Sequence, residues 1–188
     1  MRLPNHKVLI LFLLTAFLGG CGYYFPGVYN GPARTIYMPN WKNRTSELDL
    51  NAKIYQSLSR WFQKSNSLHM TKDKNAADLI LAGEIMYIDL PSISWSGNAR
   101  TTEVRVRLGV RYILKDLKSG DILWEVPNEL WTENYSTEGG SAVIADRERE
   151  ALKKIISDLS EQVYLGTLNK LRAKNIKAKA RPLRHLNP

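Results

Sequence analysis

A single cysteine, Cys21, occurs in 188 residues, so no internal disulfide can form and the thiol needs another explanation. Histidine is almost as scarce. Of the three, His6 sits near the N-terminus, His69 beside an expected short strand and His185 among basic residues at the C-terminus. None has a nucleophile or carboxylate pattern around it. The sequence has no Gly-x-Ser-x-Gly, no His-Glu-x-x-His, no Gly-rich phosphate loop and no Cys-x-x-Cys. These absences remove the common hydrolase, metallopeptidase, nucleotide-binding and thiol-redox classes. Carboxylates stand at expected helix starts and turns, where capping and solubility account for them, and Asp116 and Asp121 flank a hairpin as turn residues. The expectation is a protein that is not an enzyme, with no cofactor and no metal site.

A long hydrophobic run is also missing. The best, Val8 to Leu18, is broken only by Thr15 and falls short of the roughly 20 residues that span a bilayer. Arg2 and Lys7 precede it with no acid, and Leu18-Gly19-Gly20-Cys21 follows. A positive start, an apolar middle and small residues before a cut describe a secretory signal. The last four residues resemble the lipobox of bacterial lipoproteins, which implies diacylglycerol on the Cys21 sulfur and an acylated new N-terminus. Each buried methylene contributes about 0.8 kcal/mol, so several acyl chains make a lasting membrane anchor. Gly22 stands where an Asp would resemble an inner-membrane retention signal, which favours the outer membrane. Asn43-Arg-Thr45 and Asn134-Tyr-Ser136 match the glycosylation triplet by chance in such a protein.

The formal net charge of +9 is uneven. Arg2 and Lys7 leave with the signal, and Lys170, Arg172, Lys174, Lys177, Lys179, Arg181 and Arg184 form a terminal stretch with no acid. Residues 21–169 are therefore neutral, with 18 bases against 18 acids. Export excludes nucleic acid as the partner of the basic end. Four segments are expected: a signal peptide at 1–20, a lipidated tether at 21–33, one domain at 34–171, and a basic, disordered tail at 172–188.

Within the domain, Arg34 to Met38 predicts a short strand stopped by Pro39. Leu50, Ile54, Leu58, Trp61 and Phe62 recur at three and four residues and predict a helix over 46–64, with Thr45 or Ser46 as its cap. Asp78 to Ile88 is a mostly apolar run around Gly83, and Ser96-Gly97-Asn98-Ala99 is a hairpin turn. The next strand has the clearest pattern in the chain. Val104, Val106, Leu108, Val110, Tyr112 and Leu114 share one face, while Glu103, Arg105, Arg107, Gly109, Arg111 and Lys115 share the other. Ile122 to Val126 follows, with a further extended piece through Thr132, and a last helix runs from about Val143 to Leu171. Both helices are apolar on one side only. The expected fold is α+β, a two-layer sandwich with two amphipathic helices on one face of a mixed four-stranded sheet, in the order β-α-β-β-β-α.

Two features could serve binding. Arg105, Arg107 and Arg111 on one polar strand face, with Arg100 near the hairpin tip, suit phosphate groups, because guanidinium forks pair with them bidentately. Trp95, at the tip, is a candidate for contact with a partner.

Several stretches carry a family likeness. They are Cys21-Gly-Tyr-Tyr-Phe-Pro-Gly27, Ile36-Tyr-Met-Pro-Asn-Trp-Lys-Asn-Arg-Thr45, Ala77-Asp-Leu-Ile-Leu-Ala-Gly-Glu-Ile85, Leu117-Lys-Ser-Gly-Asp-Ile-Leu-Trp-Glu125 and Glu133-Asn-Tyr-Ser136. In this order after a lipobox, over residues 21–171, they resemble the lipopolysaccharide-assembly lipoprotein family (LptE). The resemblance implies two helices against a mixed four-stranded sheet, lodged as a plug inside the large outer-membrane β-barrel LptD. It also implies help in assembling that barrel and binding of lipopolysaccharide on its way to the outer leaflet. Family members meet lipopolysaccharide through basic residues near the strand hairpin; here the turn itself has none, and Arg100, Arg105 and Arg107 are the expected counterparts. The Ala-Asp-x-x-Leu-x-Gly-x-Ile pattern also resembles lipoprotein activators of peptidoglycan synthases and curli-type secretion lipoproteins. Cys21 lies so close to the strand at Arg34 that the tether reaches at most about 45 Å, which suits a domain held in its own membrane's barrel better than one crossing the periplasm.

Overall fold

The computed structural model describes Tyr29, residues 31–90 and residues 103–180, with side chains through Ala178. Strand β1 (Arg34–Tyr37) ends before Pro39, and the two-residue β2 (Lys42–Asn43) follows. Helix α1 (Leu50–Gln63), strand β3 (Leu68–Thr71), a 3-10 turn (Lys74–Ala76) and strand β4 (Leu79–Asp89) come next. Then come β5 (Glu103–Asp116), β6 (Ile122–Ser136) and helix α2 (Ser141–Ala180).

The sheet is mixed and open, ordered β3-β1-β4-β5-β6, with β2 also lying along β4. β1 pairs in parallel with β3 and β4, whereas β4–β5 and β5–β6 are antiparallel. The fold is the expected α+β arrangement, with six strands in place of four. The additional ones are the short β2, which shows no period of two in the sequence, and β3, which takes in His69 in place of lying beside it.

Both helices lie on one face of this sheet. Leu50, Ile54, Leu58 and Phe62 of α1 meet Val106, Leu108, Val110, Tyr112 and Leu114 of β5 and Leu152, Ile155, Leu159 and Val163 of α2 in one buried cluster. Trp41 is 2% exposed, stacks on Tyr112 with ring centroids 5.7 Å apart, and lies across Gly83. A Cβ on Gly83 would stand 2.4 Å from the Trp41 indole, so glycine is needed there for close approach.

Three boundaries differ from expectation. Helix α1 begins at Leu50 because Asn43 organises the preceding residues. Its Oδ1 accepts from the Thr45 amide at 2.9 Å and the Thr45 hydroxyl at 2.8 Å, and its Nδ2 donates to the Glu47 carbonyl at 2.8 Å. Thr45 therefore closes a turn instead of capping the helix, and the N-cap is Asp49 in the left-handed region (φ 60). Strand β6 runs unbroken through Pro127, which an edge strand tolerates because no further strand needs its amide. Helix α2 does not stop at Leu171. Residues 172–180, expected to be disordered, continue it, held by side chains that meet the sheet: Leu171 is buried, Lys174 Nζ donates to Asp116 Oδ2 at 2.9 Å, and Asn175 Nδ2 donates to Tyr29 Oη at 2.7 Å.

Candidate functional site

Helices cover only one side of the sheet, so the side chains alternating with the core form the opposite face. Register defines its rows. Arg105 stands opposite Asn134; Asp89, Arg107 and Thr132 form the next row; Tyr87, Gly109 and Leu130 the next; Glu84 and Arg111 follow. The three arginines of β5 thus point to one side, as the alternation predicts.

Their partners differ in strength. Arg111 Nε donates to Glu84 Oε2 at 2.6 Å, and Arg44 forms a second ion pair with the same carboxylate. Glu84 is buried, and the Arg44 hydrogen bond, joined by that of Arg111, outweighs burial and holds its carboxyl below the usual range. Arg111 is therefore committed to a structural pair. Arg105 Nε donates to the neutral Asn134 Oδ1 at 2.8 Å, and Arg107 Nη1 lies 4.0 Å from Asp89 Oδ2, with both side chains about half exposed. An exposed ion pair at that distance contributes at most about 1 kcal/mol. Of the three β5 arginines, Arg105 and Arg107 are the ones that can turn to an incoming anion.

Beside them lies an apolar step that the sequence did not reveal. The Tyr87 ring folds over Gly109, where a Cβ would stand 2.1 Å from it, and Leu130 flanks the same glycine. Tyr87 is 41% and Leu130 53% exposed. The one signal was Gly109 itself, a missing side chain in an otherwise regular strand. Two adaptable guanidinium groups next to an exposed apolar step can hold a phosphate and the base of a hydrocarbon chain together.

The other expected site residues, Cys21, Trp95 and Arg100, lie outside the described residues. His69 is exposed on β3. The buried phenols are donors. Tyr112 Oη donates to Glu129 Oε2 at 2.9 Å, and burial, with the Glu129 charge added, pushes the Tyr112 hydroxyl far above its ordinary value. Burial and the hydrogen bond to Glu148 push Tyr135 up to about 12. Both stay protonated at physiological pH. Among the described residues no group of three or more His, Cys, Asp or Glu side chains is placed to hold a metal ion, and no helix is long and apolar enough to cross a membrane.

Sequence reasoning also missed a buried charge cluster. Asp116, 2% exposed, closes the β5–β6 turn through the amides of Lys118 and Ser119 at 2.9 and 3.1 Å. It also pairs with Arg34 at 3.1 Å and Lys174 at 2.9 Å. Burial raises its proton affinity, but the Lys174 ion pair and the two amides outweigh this and leave Asp116 far below the usual carboxylate range.

Comparison with known proteins bears on this arrangement. No curated protein matches the chain significantly in sequence. A solved protein of Xanthomonas campestris shares the fold at 8% identity, covering 79% of this chain and 91% of its own, with a TM-score of 0.54. Rare lipoprotein B from Shewanella oneidensis aligns at 9% identity over 77% of this chain and 98% of its own, with a TM-score of 0.49. The family model described as LptE, lipopolysaccharide-assembly, matches residues 33–165. That span takes in every strand, all of α1 and more than half of α2, and the chain belongs to this family of non-enzymatic lipoproteins of lipopolysaccharide assembly.

Proposed function

We propose that the mature protein is anchored in the outer membrane by acyl chains on Cys21, plugs and helps assemble the LptD β-barrel, and binds lipopolysaccharide as it passes to the outer leaflet. The observation that carries the binding role is the open sheet face. There Arg105 and Arg107 are only loosely engaged, beside the Tyr87–Leu130 step. Lipid A offers phosphates for the guanidinium forks and acyl chains for the apolar step, a pairing of chemistries that a purely sugar or peptide ligand lacks. The proposal also assigns lipopolysaccharide binding to Arg100 and partner contact to Trp95, both of which fall between β4 and β5 in the sequence. Arg111 is left out of it because Glu84 holds it.

The plug role has support in the sheet's edge. The 15-residue β6 is an edge strand, and a barrel wall around the domain would shield it from pairing with other chains. That the barrel is LptD is part of the same proposal, and membership of the lipopolysaccharide-assembly family supports it.

Two experiments test the reading. Arg105→Glu combined with Arg107→Glu replaces attraction with repulsion at two phosphate contacts. It should weaken lipopolysaccharide capture by the purified protein by roughly a hundredfold, at about 1–2 kcal/mol for each contact. Unaltered capture would remove this face from the site. Affinity purification from detergent-solubilised membranes should recover one large barrel in equal amount, and depletion should lower surface lipopolysaccharide. A barrel that matures normally without this protein rules out the assembly role.

A further inference from the structure

Charge is polarised along α2. Its five carboxylates lie between Asp146 and Glu161, nearly balanced there by Arg147, Arg149, Lys153 and Lys154, while Lys170, Arg172, Lys174 and Lys177 occupy its later turns, and no acid follows Glu161 in the sequence. Glu148 and Lys177 are separated by about 45 Å of helix at 1.5 Å per residue. The basic end also gathers charge from other elements: Arg34 at the start of β1, Lys64 after α1, and Lys118 in the β5–β6 turn. The carboxylates facing it are already engaged. Asp78 pairs with Lys118 at 2.5 Å, Asp116 with Arg34 and Lys174, and Asp121 with Lys174 at 3.2 Å. Lys170 is exposed with its Nζ 5.8 Å from the Trp124 ring, and Lys177 is exposed.

The start of the described chain is fastened at the same end. Tyr29 Oη accepts from Asn175 Nδ2 at 2.7 Å, Ser67 Oγ donates to the Tyr29 carbonyl at 3.1 Å, and the Arg34 amide donates to the Ser67 carbonyl at 2.9 Å. Eight peptide steps separate Tyr29 from Cys21, at most about 28 Å of extended chain. The first turns of α2 lie beyond that reach, about 43 Å along the helix from Asn175 at 1.5 Å per residue, and the basic end lies within it.

We propose that this end, formed by the last turns of α2 around Lys170 and Lys177, docks on the anionic headgroups of the leaflet that holds the Cys21 acyl chains. The proposal rests on the reading of Cys21 as the anchor. Docking stands the long axis of the domain up from the leaflet, with Asp89 at the end of β4 and Glu103 at the start of β5 far from the headgroups. Anionic headgroups attract basic segments with about a fivefold gain in binding for each cation near the surface, and the attraction fades within a Debye length.

The test uses the full mature chain carrying Cys21→Ser, so that acyl insertion does not mask the charge effect. Vesicles are phosphatidylethanolamine with phosphatidylglycerol, or phosphatidylcholine alone. The protein should sediment with the anionic vesicles, less so as salt rises, and not with the neutral ones. Lys170→Gln with Lys177→Gln should lower that partition roughly twenty-five-fold. Arg149→Gln with Lys153→Gln, two exposed cations in the first half of α2, should leave it unchanged. Equal binding to both vesicle types, or equal loss from both pairs, overturns the proposal. So does a finding that the Lys170–Lys177 pair is needed for barrel copurification but not for vesicle binding. Acylation is read separately, by mass spectrometry of the wild-type protein, so an unmodified Cys21 sinks the anchor whatever the vesicles show.

Discussion

Trp41 and Gly83 illustrate how tightly single residues are constrained here. The indole is buried against Tyr112 and has no room to retreat when a methyl group appears 2.4 Å away on Gly83. Gly83→Ala should therefore destabilise the domain by about 1–3 kcal/mol through overpacking, read as a lower denaturant midpoint with an unchanged slope. Asp116 is constrained by charge. Asp116→Asn leaves Arg34 and Lys174 facing a neutral amide in a partly buried site, which should cost about 2–4 kcal/mol. The same carboxylate sets a pH dependence. Its folded pKa lies below the unfolded one, so its stabilisation is complete above about pH 5 and drains as pH falls below the ordinary carboxylate range. Glu84 acts with the same sign. Thermal unfolding of the wild-type protein should fall steeply on acidification. A slope no shallower in Asp116→Asn would show that this carboxylate is not a source of it.

At the scale of elements, the last turns of α2 are the least expected feature. Seven bases without an acid in the final stretch read as a solvated tail, yet the helix continues to Ala180 because its polar side chains find partners on other elements. Lys174 closes on the β5–β6 turn and Asn175 on Tyr29. Deleting residues 172–188 should therefore lower the melting temperature and loosen the segment around Tyr29, measurable as faster amide exchange in β1 and the β5–β6 turn. A truncated protein as stable as the full chain would mean that these contacts contribute nothing. Strand β6 shows the converse. It was expected as Ile122 to Val126 with a further extended piece through Thr132, but an edge strand with a register shift opposite accommodates Pro127 in one ladder of 15 residues.

For the whole molecule, one-sidedness is the governing property. Placing both helices on one face leaves the other to arginines and to Tyr87 and Leu130, and fastening the start of the chain at the basic end of α2 gives the domain a direction. If Cys21 carries the anchor, Cys21→Ser made in cells depleted of the barrel and washed in high salt should move from the outer-membrane fraction into the soluble periplasm while its circular dichroism spectrum stays the same. A membrane-bound Cys21→Ser protein in high salt would point to an anchor other than acyl chains.

Much of this architecture was legible in the residues alone. The alternation from Val104 to Leu114 fixes which face of β5 is buried, and the stripe from Leu50 to Phe62 makes α1 amphipathic. Both patterns are local, set by the periods of strand and helix, and a family resemblance accompanies them. Only tertiary structure could decide how far α2 runs, which arginine is held by Glu84 and which are left for a ligand, and where Tyr29 is tied. Those outcomes depend on groups many residues apart in sequence, such as Asp116 with Arg34 and Lys174, whose energies arise from shared burial and mutual distance. Spacing along the chain does not encode those quantities.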